Sequence, residues 1–141
     1  MPDIKTKNQT WIYSEKVKDH FLHPRNIVIE DSPNFKFNGL GEIGSPACGD
    51  VMKIWIFVNP KTLRIEKCGW KTFGCASAIS STSVLSEMVT TNGGMNLEKA
   101  KKIIPKDIIE SLGGLPDNKI HCSVLGDQAL RAAINNFEKN C

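Results

Sequence analysis

Several absences narrow the field before any motif is read. No apolar run approaches the roughly 18 residues that a membrane span requires, and the opening Met1-Pro2-Asp3-Ile4-Lys5 lacks the basic start and apolar stretch of a secretory signal. A cytoplasmic protein without a membrane partner is expected. Charge of one sign is not gathered anywhere: the net charge is only +3, and lysines stand beside acids, as in Ser14-Glu15-Lys16. A nucleic-acid partner, which would need a basic stripe, is therefore not expected. There is no repeat and no low-complexity linker, so 141 residues with 40% hydrophobic content are expected to form one domain over residues 11–141, after a flexible tail at 1–10. Five cysteines is an odd count without dense spacing, which argues against a secreted disulfide framework and for thiols kept reduced. No C-x-x-C pair occurs either, so no zinc-finger template applies.

What is present is a set of reactive side chains at places where the chain changes conformation. A first helix is predicted from about Tyr13 to His23, where Pro24 stops it. His20 and His23 lie three apart on it, and in the absence of a local thiol or carboxylate they read as half-exposed helix-end histidines rather than ligands. Phe37 to Gly44 reads as a short edge strand broken by Gly39 and Gly41. Met52, Ile54, Ile56 and Val58 then alternate with Lys53, Trp55 and Phe57, the period of a strand with one buried face. After the turn at Asn59-Pro60-Lys61, residues 62–73 return antiparallel. Trp55 and Phe57 face away from the aliphatic row, either as an exposed partner surface or under cover of the N-terminal segment.

The period changes at Gly74, where Ala78, Thr82, Leu85 and Val89 mark one face of a helix ended by Asn92-Gly93-Gly94. Asn96 is placed to cap a short helix, Pro105 to open another, and Leu130, Ala133, Ile134 and Phe137 define a final helix starting near Cys122 or Ser123. The expected architecture is α+β, a three-stranded antiparallel sheet packed against about five helices.

Cys48 and Asp50 fall in the loop Ser45-Pro46-Ala47-Cys48-Gly49-Asp50, Cys75 follows the second long strand, and His121 and Cys122 precede the last helix. One end of the sheet could gather all five. A thiolate at a helix start is favoured by the dipole and the free amides. By spacing alone, with 27 residues from Cys48 to Cys75 and 47 from Cys75 to Cys122, a shared metal site and buried structural thiols stand level. A Cys122 nucleophile with a His121 base is a lesser reading, since it leaves Cys48, Asp50 and Cys75 without a role.

Three motifs then carry a resemblance. Gly44-Ser45-Pro46-Ala47-Cys48-Gly49-Asp50, Lys71-Thr72-Phe73-Gly74-Cys75-Ala76-Ser77 and Lys119-Ile120-His121-Cys122-Ser123, with the opening helix Tyr13 to Asn26, resemble the iron–sulfur cluster assembly scaffolds of the IscU type, also the N-terminal module of NifU. The likeness runs from about Tyr13 to Phe137 and implies the IscU/NifU-like, SufE-like fold. It implies a non-enzymatic scaffold that receives sulfur from a cysteine desulfurase, takes in iron, builds a transient [2Fe-2S] cluster and passes it to apo-proteins. Carried over residue by residue, Cys48, Cys75 and Cys122 are the cluster ligands with Asp50 or His121 as the fourth. Cys122 is then the persulfide acceptor, Asp50 the group that keeps the cluster labile and admits iron, and Lys119 a supporting residue. Zinc is a second occupant that such a donor set accepts.

Two departures are visible. The family's Leu-Pro-Pro-Val-Lys, bound by a dedicated Hsp70 chaperone, is here Leu115-Pro116-Asp117-Asn118-Lys119, so that partner is not carried over. Ala76 stands where Gly is commoner. The rival class is the SufU type, a zinc-containing persulfide relay, which has an insertion between the second and third cysteines and lacks the histidine before the third. This chain has His121 and no evident insertion. Cys68 and Cys141 match no ligand position, and Cys68 is expected to be a small buried side chain within its strand.

Overall fold

The computed structural model describes residues 15–30, 33–45, 50–73, 76–112 and 120–139, with the side chains at 17, 45, 50, 73, 76, 77 and 120–125 outside that description. The elements run α1 (Glu15–Leu22), β1 (Gly39–Ser45), β2 (Asp50–Asn59), β3 (Arg64–Phe73), α2 (Ala76–Thr90), β4 (Met95–Asn96), α3 (Leu97–Lys101), α4 (Pro105–Ser111) and α5 (Ile120–Lys139). The expected α+β architecture is present, with one difference. The sheet has four strands in the order β1-β2-β3-β4, because Met95 and Asn96 pair with Ile65 and Arg64. A two-residue strand is too short to leave an alternating pattern, so sequence periodicity passes over it.

The aliphatic row of β2 forms the floor of the core: Met52, Ile54, Ile56 and Val58 are at most 1% exposed. Helices α2 and α5 close over that floor, α2 with Ala78, Leu85 and Val89 and α5 with Leu130, Ala133, Ile134 and Phe137, all buried. Asn96 caps α3 as its position suggests, accepting from the Glu98 N–H at 2.8 Å. Likewise the Asp107 carboxylate accepts from the Ile104 N–H at 3.0 Å where Pro105 opens α4. Two of the hydroxyls that crowd α2 bond within the helix: Thr82 donates to the Ala78 carbonyl at 2.7 Å and Ser86 to that of Ser83 at 2.7 Å.

The glycines that seemed to interrupt β1 have a packing role instead. A Cβ at Gly41 would stand 2.1 Å from the Ala129 carbonyl oxygen and 2.5 Å from the Ala133 nitrogen, and one at Gly39 would stand 2.6 Å from the Ala133 oxygen. Strand and helix backbones touch there, which only glycine permits. Asn136 then accepts from the Leu40 N–H at 3.0 Å, satisfying one donor on this edge strand.

The opposite face of the sheet is not a bare partner surface. Trp55 is 1% exposed. Gly69 lies across from it in register, and a Cβ at Gly69 would meet Val28 at 2.8 Å and Phe35 at 3.1 Å. The segment between α1 and β1 therefore covers Trp55, and Phe57 is left half-buried. Its start is tied to β3: the Val28 N–H donates to the Trp70 carbonyl at 2.7 Å and the Trp70 N–H to the Asn26 carbonyl at 3.2 Å.

Candidate functional site

Register fixes which chain ends meet. Ser45 pairs with Asp50, so β1 leaves and β2 enters at one rim. Val51 pairs with Phe73, so β3 ends at that same rim and α2 begins there at Ala76. The direction of α5 follows from its glycine contacts, since Ala133 lies over Gly39 and Ala129 over Gly41. Helix numbering falls as strand numbering rises. From Ala129 back to Ile120 the helix covers about 14 Å, and from Gly41 on to Ser45 the strand covers about 13 Å. The start of α5 is thus level with the Ser45–Asp50 pair. Gly126 supports this placement, lying near Thr82 of α2 and Met52 of β2.

Around this rim stand the described flanks of the positions singled out from sequence. Asp50 is the first residue of β2, and His121 and Cys122 are the second and third residues of α5, which begins slightly earlier than expected. Their side chains lie outside the described residues, as do Cys48, Cys75 and Lys119 altogether, together with the departing segment 115–119, residues 1–14 and Cys141. The described elements bring to one place the flanks on which these residues sit: Ser45 and Asp50 about Cys48, Phe73 and Ala76 about Cys75, and the first turn of α5 for His121 and Cys122.

Among the described residues no group of three or more His, Cys, Asp or Glu could hold a metal ion. Cys68 is 4% exposed, and burial pushes its thiol up to about 12, so it is a core side chain as expected. The reading of His20 and His23 as a half-exposed pair needs correction. His23 is exposed, but His20 is only 6% exposed. Its Nδ1 lies 2.7 Å from Ser83 Oγ, and its Nε2 lies 3.4 Å from the Glu87 carboxylate. Because Ser83 Oγ accepts from the Arg25 N–H at 2.9 Å, its own proton is free for Nδ1, which leaves Nε2–H toward Glu87. Burial first, and then the Arg25 charge, hold the His20 pKa below its ordinary value, against the opposing pull of Glu87 and Asp19. Arg25 is itself tied to Asp19 at 2.6 Å, and its carbonyl accepts from Trp70 Nε1 at 2.7 Å. This network pins α1 to α2. Sequence alone could not find it, because Ser83 and Glu87 are more than 60 residues from His20.

A small α+β domain, with one rim where strand ends and two helix starts converge, is the class that this geometry defines. The profile of the NifU-like N-terminal domain matches residues 12–141. The chain is 50% identical over 126 residues to the "Iron-sulfur cluster assembly scaffold protein IscU" of Aquifex aeolicus, covering 89% of this chain and 75% of that one. It is 45% identical over 127 residues to the "Nitrogen fixation protein NifU" of Azotobacter chroococcum, covering 90% of this chain but only 39% of that longer protein. The crystal structure of a nitrogen-fixing NifU-like protein (N-terminal) from Brucella abortus has the same fold, with a TM-score of 0.66 at 13% identity over 91% of this chain and 95% of that one. The chain belongs to the NifU-like N-terminal domain family.

Proposed function

We propose that this protein is a scaffold on which an iron–sulfur cluster is assembled from iron and desulfurase-derived sulfur and then handed to apo-proteins. The observation that carries the reading is the convergence of the strand ends and helix starts flanking Cys48, Cys75 and Cys122 at a single rim. In this reading the three thiolates hold a [2Fe-2S] cluster, and Asp50 or His121 fills the fourth place. A carboxylate or imidazole is a poorer partner for a soft cluster than a fourth thiolate, so that corner is where cargo leaves. Sulfur arrives as a persulfide on Cys122, favoured as thiolate by the α5 helix start, and Lys119 assists from the adjoining segment. Conversion of that sulfur to cluster sulfide needs two electrons from a reductant. The partners are a cysteine desulfurase and apo iron–sulfur acceptors, and no turnover of its own is assigned to the protein.

The test is anaerobic reconstitution with ferrous iron, cysteine, a desulfurase and dithiothreitol, followed by visible absorption and acid-labile sulfide analysis. Labile sulfide equal to bound iron, lost on substitution of Cys48, Cys75 or Cys122, is expected. In Asp50→Ala the cluster persists longer in the presence of chelator. A persulfide on Cys122 with bound zinc and no labile sulfide would overturn the scaffold in favour of a sulfur relay.

A further inference from the structure

We propose that the open groove at the hairpin end of the sheet, remote from the rim, is a docking site for an acidic peptide segment of a partner protein, an apolar side chain flanked by carboxylates. The groove has a volume of about 990 Å³ and lies between β3, the turn after α2, α3 and α4. Its floor is apolar, formed by Met88, Met95 and Ile103, of which Ile103 is 5% exposed. One wall carries three exposed cations, Arg64 from β3, Lys99 from α3 and Lys102, the residue that follows α3.

None of these cations has an ion pair among the described residues. The other lysine of α3 does not face this groove: Lys101 is held by Glu138 at 2.7 Å and Glu98 at 3.8 Å. Arg64 is oriented by one bond, Nη1 to the Gly94 carbonyl at 2.8 Å, and keeps its remaining donors for a ligand. The far wall on α4 carries Asp107 and Glu110. Asp107 is occupied in capping its own helix, and Glu110 repels an anion from that side. A ligand's carboxylates therefore belong on the β3 and α3 wall, with its apolar side chain on the methionines.

Methionine suits this role because it adapts to varied side chains. A compact metabolite would need enclosure over most of its surface. This groove is open to solvent, which suits a peptide segment held on one side. Its distance from the rim follows from the strands: from Val51 to Asn59, β2 spans about 26 Å. A partner seated here leaves the rim accessible, and the inference stands apart from the identity of the rim's cargo.

The test uses the full chain labelled with ¹⁵N and an eight-residue peptide containing two leucines and four glutamates between glycine ends, with a glutamine-for-glutamate version as control. Saturable amide shifts at Met95, Lys99 and Lys102 are expected, and affinity falls several-fold as salt rises from about 50 to 300 mM. The double substitution Lys99→Glu with Lys102→Glu weakens binding about tenfold or more, with an unchanged thermal melt because both side chains are exposed and unpaired. Glu110→Gln tightens binding. No saturable shift at millimolar peptide, equal affinity of the glutamine control or of the double variant, or shifts at the rim in place of the groove would each overturn the proposal.

Discussion

Replacing Gly41 by alanine tests the contact that sets the position of α5 and, with it, the level of His121 and Cys122 at the rim. The added Cβ would lie 2.1 Å from the Ala129 carbonyl oxygen, whereas ordinary contact begins at 3.4 Å. The shortfall exceeds 1 Å, and the obstruction is helix backbone, which cannot rotate away as a side chain tip can. Either α5 shifts bodily, opening its buried face of Leu130, Ala133 and Ile134 against the sheet, or β1 bends away from β2. Overpacking of this kind costs about 3 kcal/mol or more. For a chain of this size that lowers the melting temperature by about 10 °C. The assay is thermal unfolding followed by circular dichroism, with Gly126→Ala as the contrast. At Gly126 the nearest atom to an added Cβ is the Leu85 methyl at 3.4 Å, so alanine there gains up to about 1 kcal/mol of helix propensity and raises the melting temperature slightly. A Gly41→Ala protein melting within about 2 °C of wild type would refute the close packing of α5 on β1, and with it the derived height of the helix start.

Three further outcomes follow from other parts of the structure. His20 is held neutral in the fold with its pKa lowered, so its contribution is fully present above its unfolded value near 6.5 and is lost as pH falls through the folded value. Urea unfolding from pH 7.5 to pH 5 should show stability falling with acid, and His20→Gln should flatten that slope; an identical slope in the variant would refute the assignment. The Cys68 thiol, pushed up to about 12 by burial, should resist iodoacetamide at pH 8 in the native protein and react once denatured, as mass spectrometry would show; native alkylation at a free-thiol rate would overturn this. Arg131 donates to the Asp127 carboxylate and, at 3.0 Å, to the Ile103 carbonyl. Arg131→Met should therefore cost about 2 kcal/mol in urea unfolding, because Asp127 is left buried without a counter-charge, and an unchanged stability would count against that coupling.

The long elements were legible because each repeats a simple period. The alternation from Met52 to Val58 and the helical spacing from Leu130 to Phe137 report burial directly, and the structure has both on one core. Capping was legible for a similar reason: Asn96 and Pro105 act through neighbours two or three residues away. What was misread was set by contacts distant in sequence. Gly39 and Gly41 look like strand breakers unless it is known that Ala129 and Ala133 press on them. For Trp55 the sequence left exposure and cover level, and Val28 and Phe35, brought over Gly69 beside it, decide for cover. His20 looked unaccompanied because its hydroxyl and carboxylate come from another helix.

The candidate site shows the same division in a sharper form. Spacing alone left three cysteines with no template, because the proposed ligands are separated by 27 and 47 residues and share no local period. The pairing of Ser45 with Asp50 and of Val51 with Phe73 brings the residues flanking two of those cysteines together, since an antiparallel sheet returns successive chain ends to one rim. The same pairing sends Asn59 and Arg64 to the opposite end, where β4 and α3 build the groove beside them. One rigid sheet thus separates the flanks of the proposed cluster ligands from the cationic groove by the length of its strands. That separation lets occupancy at one end leave the other sterically free, a useful property in a protein proposed to meet a sulfur donor and an acceptor in turn.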